Sequence, residues 1–306
     1  MKKLWTETYR PSTVDEYVFR DAAQRNQVNS WIESKSIPHL LFSGAPGVGK
    51  TTLAKILINQ IGVDEYDLLE INASRENSVD TIRDKITGFV QTMPFGEFKV
   101  VLLDEADYIS PNGQAALRGV MEMYHETARF ILTCNYPNKI IPALHSRCQG
   151  FHIEKIDQTE FTARIATILV SENIEFDLDT LDSYVRATYP DLRKCINTCQ
   201  MNSTTGALIK PVGDEGGSSD YLLQTVDLFK AGRIKEARTL LCKNVSTEKM
   251  DELISWAYNN LDLWGTTDEQ QDQAIVIIRN AAVNTSFIAD HEINVAAMMT
   301  ELGQIQ

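Results

Sequence analysis

Gly44 to Thr51 reads G-A-P-G-V-G-K-T and fills every fixed position of the pattern G-x-x-x-x-G-K-[ST]. Those residue types at that spacing bind phosphate. The glycines let backbone N–H groups curl around a phosphate chain, Lys50 reaches the β- and γ-phosphates, and the Thr51 hydroxyl holds Mg²⁺. A second cluster lies at Val100 to Asp107, V-V-L-L-D-E-A-D. An apolar strand that ends in acidic residues, downstream of a phosphate loop, is the Walker B arrangement. Asp104 then holds Mg²⁺ through its water shell, and Glu105 orients or deprotonates an attacking water. Taken alone, such a strand could simply end in solvated carboxylates. Paired with Gly44–Thr51, a carboxylate directly after the metal-binding aspartate points to hydrolysis of a nucleoside triphosphate rather than static binding.

These groups need elements to position them. The apolar run His39 to Phe42 reads as a buried strand entering the loop. Leu53, Ile56, Leu57 and Ile61 fall on one face of a helix leaving it, and that helix's N-terminus adds its own affinity for anions. Asp67 to Ala73 reads as a strand, Val79 to Val90 as a helix, and Val100 to Leu103 as a fully apolar strand. Ser110 before Pro111 marks a helix start that continues through Leu117, Val120, Met121 and Tyr124. Phe130 to Leu132 is a further strand. Alternation of this kind predicts a parallel sheet covered on both faces. After about residue 155 the pattern is helical only. Phe161, Ile165, Ile168 and Leu169 mark one helix, Leu178, Leu181 and Val185 another, and a third begins near Asp191. Residues 211–220 read as a flexible linker, rich in glycine and serine. Residues 221–306 are helical again, with Thr267 and Gln270 forming a capping box.

The chain has 306 residues, 43% hydrophobic and 23% charged, with a formal net charge of −13. That charge is unevenly placed. Residues 1–155 carry 17 Lys/Arg against 19 Asp/Glu, and residues 156–306 carry 12 against 23. The nucleotide-binding half is near neutral and can hold a local basic surface, whereas the acidic half is a poor surface for a phosphate backbone. No stretch is apolar for long enough to span a membrane, and the N-terminus lacks the apolar core of a signal peptide. The five cysteines form no C-x-x-C pair. Cys195 and Cys199, four apart, are buried thiols or, on one helical face, two ligands of a metal site. The expected compartment is a reducing cytoplasm.

Three more polar residues suit phosphoryl chemistry. Asn135 follows the strand Phe130–Cys134 and could hold the water or the γ-phosphate, or serve only as a turn residue before Pro137. Arg147, in Ser146-Arg147-Cys148, could reach a neighbouring subunit's nucleotide or pair on the surface. Arg193 stands in a first helical turn, where a cation is disfavoured unless an anion or Asp191 offsets it.

In this order the pieces resemble the AAA+ ATPases, and within them the sliding-clamp loaders. The resemblance rests on Thr8-Tyr9-Arg10-Pro11, on Ile37 to Gly44, and on Asn72-Ala73-Ser74 before a helix with Ile82 and Arg83. It rests also on D-E-A-D from Asp104, on A-A-L-R-G-V-M-E-M-Y and on Ser146-Arg147-Cys148, all similar to replication-factor-C small subunits. It covers residues 5–155 closely. Tyr189 to Lys194, with the compact length, is more like the large subunit of T4-type phage clamp loaders.

The fold this implies is α/β: a P-loop AAA+ module with a parallel sheet (1–155), a small helical lid (156–210), the linker (211–220) and a helical collar (221–306). Thr6, Glu7, Thr8, Tyr9 and Val18 would line the adenine site, and Gly47, Val48, Gly49, Lys50, Thr51 and Thr52 the phosphates. Asn135 corresponds to sensor 1, Arg193 to sensor 2 and Arg147 to a trans-acting arginine finger. Arg75, Arg83 and Asn112 would touch DNA phosphates, or else are solvated helix-surface residues. The loaders often carry a basic residue near position 77, where this chain has Asn77, so Arg75 takes over that coupling or the coupling differs. The implied partners are a sliding clamp, a companion subunit, further copies of the chain and primer–template DNA, with no membrane, in the host's cytoplasm if phage-encoded. Two other readings stay open. One is a branch-migration helicase, which would need a basic DNA-binding domain. The other is a structural subunit that binds ATP without essential hydrolysis.

Overall fold

The computed structural model describes residues 3–76, 79–209, 220–244, 249–285, 287–288 and 290–305. The sequence-read linker 211–220 and Asn77 fall outside these, apart from Asp220, which opens a helix. The chain divides into two compact units. One is Glu7–Asp157. The other comprises residues 3–6 and the chain from Gln158 onward. The segments read from sequence as lid and collar therefore share one unit.

The first unit is built on five parallel strands: β1 (Leu40–Ser43), β2 (Leu68–Asn72), β3 (Lys99–Asp104), β4 (Ala128–Cys134) and β5 (Gln149–His152). They lie in the order β2-β3-β4-β1-β5. Its helices are the short α1 (Trp5–Thr8, shared at its first two residues with the other unit), α2 (Ala22–Glu33), α3 (Lys50–Ile61), α4 (Val79–Val90), α5 (Pro111–Met123) and α6 (Pro142–His145). Alternate residues of the inner strands feed opposite cores, as a two-residue period demands. Leu40, Phe42, Val100, Leu102 and Ile131 join one cluster with Val28 and Trp31 of α2 and Leu53, Ile56 and Leu57 of α3. Leu41, Val101, Leu103, Phe130 and Leu132 join the other with Ile86 of α4 and Leu117 and Met121 of α5. Both faces are covered, so the inner strands β1, β3 and β4 carry continuous apolar runs. The sequence reading missed β5, whose Gln149 and Gly150 are polar and small and whose pairing with β1 is set by register (Leu40 to Gln149, Ser43 to His152).

The second unit is helical: α7 (Gln158–Ser171), α8 (Leu178–Thr188), α9 (Leu192–Met201), α10 (Asp220–Lys230), α11 (Ile234–Asn244), α12 (Met250–Asn259), α13 (Asp268–Asn284) and α14 (His291–Leu302). Aspartates start α8 and α9. Asp177 accepts the Thr180 N–H at 2.7 Å and Asp191 the Lys194 N–H at 2.9 Å. The expected capping box opens α13. Arg186 staples the unit together. Its guanidinium pairs with Asp182 at 2.7 Å and Asp262 at 2.5 Å, and its carbonyl accepts from Trp256 Nε1 at 2.9 Å and Asn260 Nδ2 at 3.1 Å. Trp264 is fully buried, edge-on to Phe229 and Trp256.

One half-buried group should make the first unit acid-sensitive. His39 Nδ1 accepts the Phe130 N–H at 3.1 Å, which fixes the tautomer with hydrogen on Nε2. Burial pushes its imidazole down to about 4, and Arg129 and then His125 add repulsion. The unfolded chain therefore binds this proton first. Native stability should fall as pH drops from about 6.5, the unfolded value, towards 4. Urea midpoints at pH 7 and pH 5 check this, and His39→Asn, which keeps an acceptor near Nδ1, should flatten the difference.

Candidate functional site

β1 carries its last residue, Ser43, to the C-terminal edge of the sheet, and the chain turns there into α3. Two glycines make the turn. A Cβ on Gly44 would stand 2.2 Å from the Ile153 carbonyl oxygen, so the loop's first position has room for backbone only. Gly49 caps α3 at φ +95°, a region side chains avoid, with the Tyr17 ring 3.1 Å from where its Cβ would be. Lys50 is buried, and its ammonium donates to the carbonyls of Gly44 at 2.9 Å and Ala45 at 2.7 Å. The cation thus sits folded over the loop's own backbone.

β3 ends at Asp104, on the same edge. One oxygen of this carboxylate accepts from two hydroxyls, Thr51 Oγ1 at 2.6 Å and Thr133 Oγ1 at 2.7 Å. Thr133, on β4 and almost fully buried, also accepts the Glu105 N–H at 3.0 Å. Glu105 adopts the left-handed conformation, φ +58° and ψ +44°, which costs about 1–2 kcal/mol for a residue with a side chain. That turn stops β3 and swings the next carboxylate out of the strand's path. Strain kept at such a point is a mark of function. Asn135 follows β4, and Cys134 is the register partner of Ser43, so Asn135 stands beside the entry to the phosphate loop. The Cys134 thiol is pushed up to about 11, first by burial and then by Asp107, with Lys50 opposing. It stays neutral at the site's floor.

The structure thus brings Gly44, Gly47, Val48, Gly49, Lys50, Thr51, Thr52, Asp104, Glu105 and Asn135 to one edge of one sheet. It adds Tyr17, which the sequence reading passed over. Tyr17 and Phe19 stack at 4.8 Å and pack with Val48 against the core, and the Tyr17 hydroxyl stands 3.4 Å from the Val48 carbonyl. Val18, half-buried, lies between them in the chain. Glu7 and Thr8 are exposed, and Glu7 pairs with Arg10 at 3.2 Å. Tyr9 is half-buried, and Thr6 counts with the helical unit.

Arg147 is placed differently. It precedes β5 and so lies at the N-terminal edge, four strand residues from the phosphate loop, roughly 13 Å. Its guanidinium donates to the Ala143 carbonyl at 2.8 Å and contacts Glu122 of α5. Arg193 is exposed, two residues past the cap Asp191, in the helical unit. Arg75, Arg83 and Asn112 are exposed. Arg75 follows the β2 end in a turn held by Asn72 Oδ1, and Asn112 opens α5 after the β3 end, so both stand at the sheet's C-terminal edge. Asn72 is the register partner of Asp104, whose carbonyl accepts the Ala73 N–H at 2.9 Å. Gln114 is a further residue the sequence reading missed. Buried in α5, it donates to the carbonyls of Ile109 at 2.9 Å and Lys139 at 3.0 Å and accepts the Ile141 N–H at 2.8 Å. Cys195 and Cys199 are free and buried.

Comparison with known proteins agrees with this geometry. Residues 40–155 match the profile of the ATPase family associated with various cellular activities (AAA). The replication factor C small subunit of Methanococcus maripaludis is 36% identical over 273 residues, 88% of this chain and 82% of that protein. The small subunit of Methanococcus vannielii is 31% identical across the whole of both chains. That of Sulfurisphaera tokodaii is 43% identical over 208 residues, 66% of this chain and 63% of that protein.

Thr133 joins the two carboxylate-bearing residues, so it is the sharpest test of the site. Thr133→Val keeps the shape and removes both hydrogen bonds. It should lower the rate of nucleotide hydrolysis on the order of tenfold, the scale of a lost buried hydrogen bond, while nucleotide affinity stays within about threefold. Single-turnover kinetics beside equilibrium nucleotide binding reads both.

Proposed function

The chain belongs to the replication factor C small-subunit family of AAA ATPases, and on that footing we propose that it is an ATPase subunit of a sliding-clamp loader, using ATP to open a clamp and release it on primer–template DNA. The observation that carries this reading is the position of Arg147. A guanidinium on the edge opposite its own phosphate loop has no route to its own nucleotide. It serves a neighbour, so the active site is completed between copies of the chain or with a companion subunit.

Within one subunit the residues divide the work. The loop backbone and Lys50 hold the β- and γ-phosphates. Thr51 and Asp104 are hard oxygen donors on one hydrogen bond, a set that suits Mg²⁺. There they would hold Mg²⁺, which would supply charge neutralisation for the phosphate oxygens. Glu105, turned out of β3, orients or deprotonates the attacking water, and Asn135 senses the γ-phosphate. Tyr17, Val18 and Phe19 wall the base, with Thr6, Glu7, Thr8 and Tyr9 assigned to the same site by resemblance. By the same resemblance Arg193 is assigned to sensor 2. Arg147 from the neighbour stabilises the transition-state charge.

DNA phosphates fall to Arg75, Arg83 and Asn112. The Asn72 turn ties Arg75 to Asp104 through one ladder position, a direct path from DNA to the hydrolytic carboxylates. The clamp is assigned to an exposed apolar tip. Tyr66, Met93 and Phe95 are 67%, 82% and 78% exposed, and the rings of Tyr66 and Phe95 lie 5.7 Å apart. Among the described residues no helix is long and apolar enough to cross a membrane. The likeness to replication factor C small subunits supports a place in the cytoplasm. The short Tyr189–Lys194 segment supports the phage-type branch of the family, with a host's cytoplasm as the setting. The acidic chain beyond residue 156 offers no basic domain for the helicase reading.

Two measurements test the proposal. In the complex assembled with companion subunit, clamp and primed DNA, Glu105→Gln should lower hydrolysis about 10²–10⁴-fold and Arg147→Ala about 10³-fold or more. ATP affinity of the isolated chain should be unmoved by either. Wild-type hydrolysis that ignores clamp and DNA would sink the assignment, and strand separation by the chain would favour a helicase. Phe95→Ala should weaken clamp binding about tenfold or more in a titration with labelled clamp, leaving ATP binding intact.

A further inference from the structure

Arg147 does not stand alone at its edge of the sheet. Its guanidinium engages Glu122, in the last turn of α5, through one terminal nitrogen. The other donates to the Ala143 carbonyl at 2.8 Å and approaches Ser146 Oγ at 3.4 Å. A guanidinium carries five N–H donors in a rigid fork, so these contacts set its plane without exhausting it. The same Glu122 oxygen stands 3.8 Å from Arg118 Nε, one turn earlier on α5. One carboxylate thus lies between two guanidiniums. It screens their repulsion and leaves the group net positive.

We propose that Glu122 is the positioning residue for the trans-acting guanidinium: it holds Arg147 in a fixed aim towards a neighbour's phosphate. The inference rests on the reading that Arg147 acts in trans. An ion pair this exposed contributes little to stability, so stability does not account for the arrangement. Orientation does. A long, flexible side chain must otherwise be ordered anew at each encounter, and a misplaced charge loses rate steeply. α5 supplies a rigid base for the carboxylate. Its first turn follows Glu105 by a few residues, its last bears Glu122, and Gln114 locks its start to the backbone leading into α6.

The test is the hydrolysis rate of the assembled complex. Glu122→Ala should lower it about tenfold. Glu122→Gln, which keeps an acceptor at the same reach, should recover to within about threefold of wild type. In an Arg147→Ala background, Glu122→Ala should cause no further loss, since its effect runs through that guanidinium. Melting temperatures within a few degrees of wild type check that each variant folds. The proposal is overturned if Glu122→Ala keeps the wild-type rate while Arg147→Ala loses it, or if the Glu122 loss persists undiminished without Arg147. If Arg147→Ala itself keeps full rate, the trans reading fails, and this inference with it.

Discussion

The Asp104 carboxylate is the point on which the rest of the site hangs. One oxygen takes hydroxyls from α3 and from β4, and the residue's carbonyl takes a backbone N–H from the residue after β2. Three strands and the phosphate-loop helix are therefore indexed to one residue. A shift of any of them by a residue would break the pairing and turn every strand side chain to the wrong face. The left-handed turn at Glu105 is tolerable because its neighbours are over-determined. Asp104 is held from three sides, and the Glu105 N–H is bound to Thr133. The strain stays where an outward-facing carboxylate is needed.

Much of this was legible in the sequence, for identifiable reasons. The phosphate loop is legible because its chemistry fixes residue type at almost every position. Asp104 and Glu105 are legible because two acids that close an apolar strand, downstream of a phosphate loop, match the needs of a metal and a water. The helix faces at Leu53–Ile61 and Phe161–Leu169 follow from period alone, and their apolar residues are buried as expected. Thr133 was not legible. A threonine in an apolar strand reads as an ordinary strand former, and its importance arises only when β4 is set beside β1 and β3, strands far from it in sequence. Tyr17 was hidden likewise: what marks it is the absence of a Cβ on Gly49, thirty-odd residues on. Leu178 marks α8 as expected but is 79% exposed, because it opens the helix before the core is reached.

The charge asymmetry also takes on more detail. Part of the acidity beyond residue 156 is structural. Asp179 and Asp182 face Lys230, and Asp182 and Asp262 face Arg186. These carboxylates staple helices rather than project a field. The first unit uses its charges differently, with a cation over carbonyls at Lys50 and a shared cluster at Arg118 and Arg147.

The exposed tip at Met93–Phe95 rests on a group that never reaches solvent. Asp67 is fully buried, and its two oxygens accept the N–H groups of Phe95 at 3.0 Å and Gly96 at 2.7 Å. A carboxylate that grips two successive amides freezes the turn. Phe95 is thus exposed yet carried on a stiff backbone, and little chain entropy remains to be lost when a partner covers it. Apolar burial on association there would go into affinity rather than into ordering a loop.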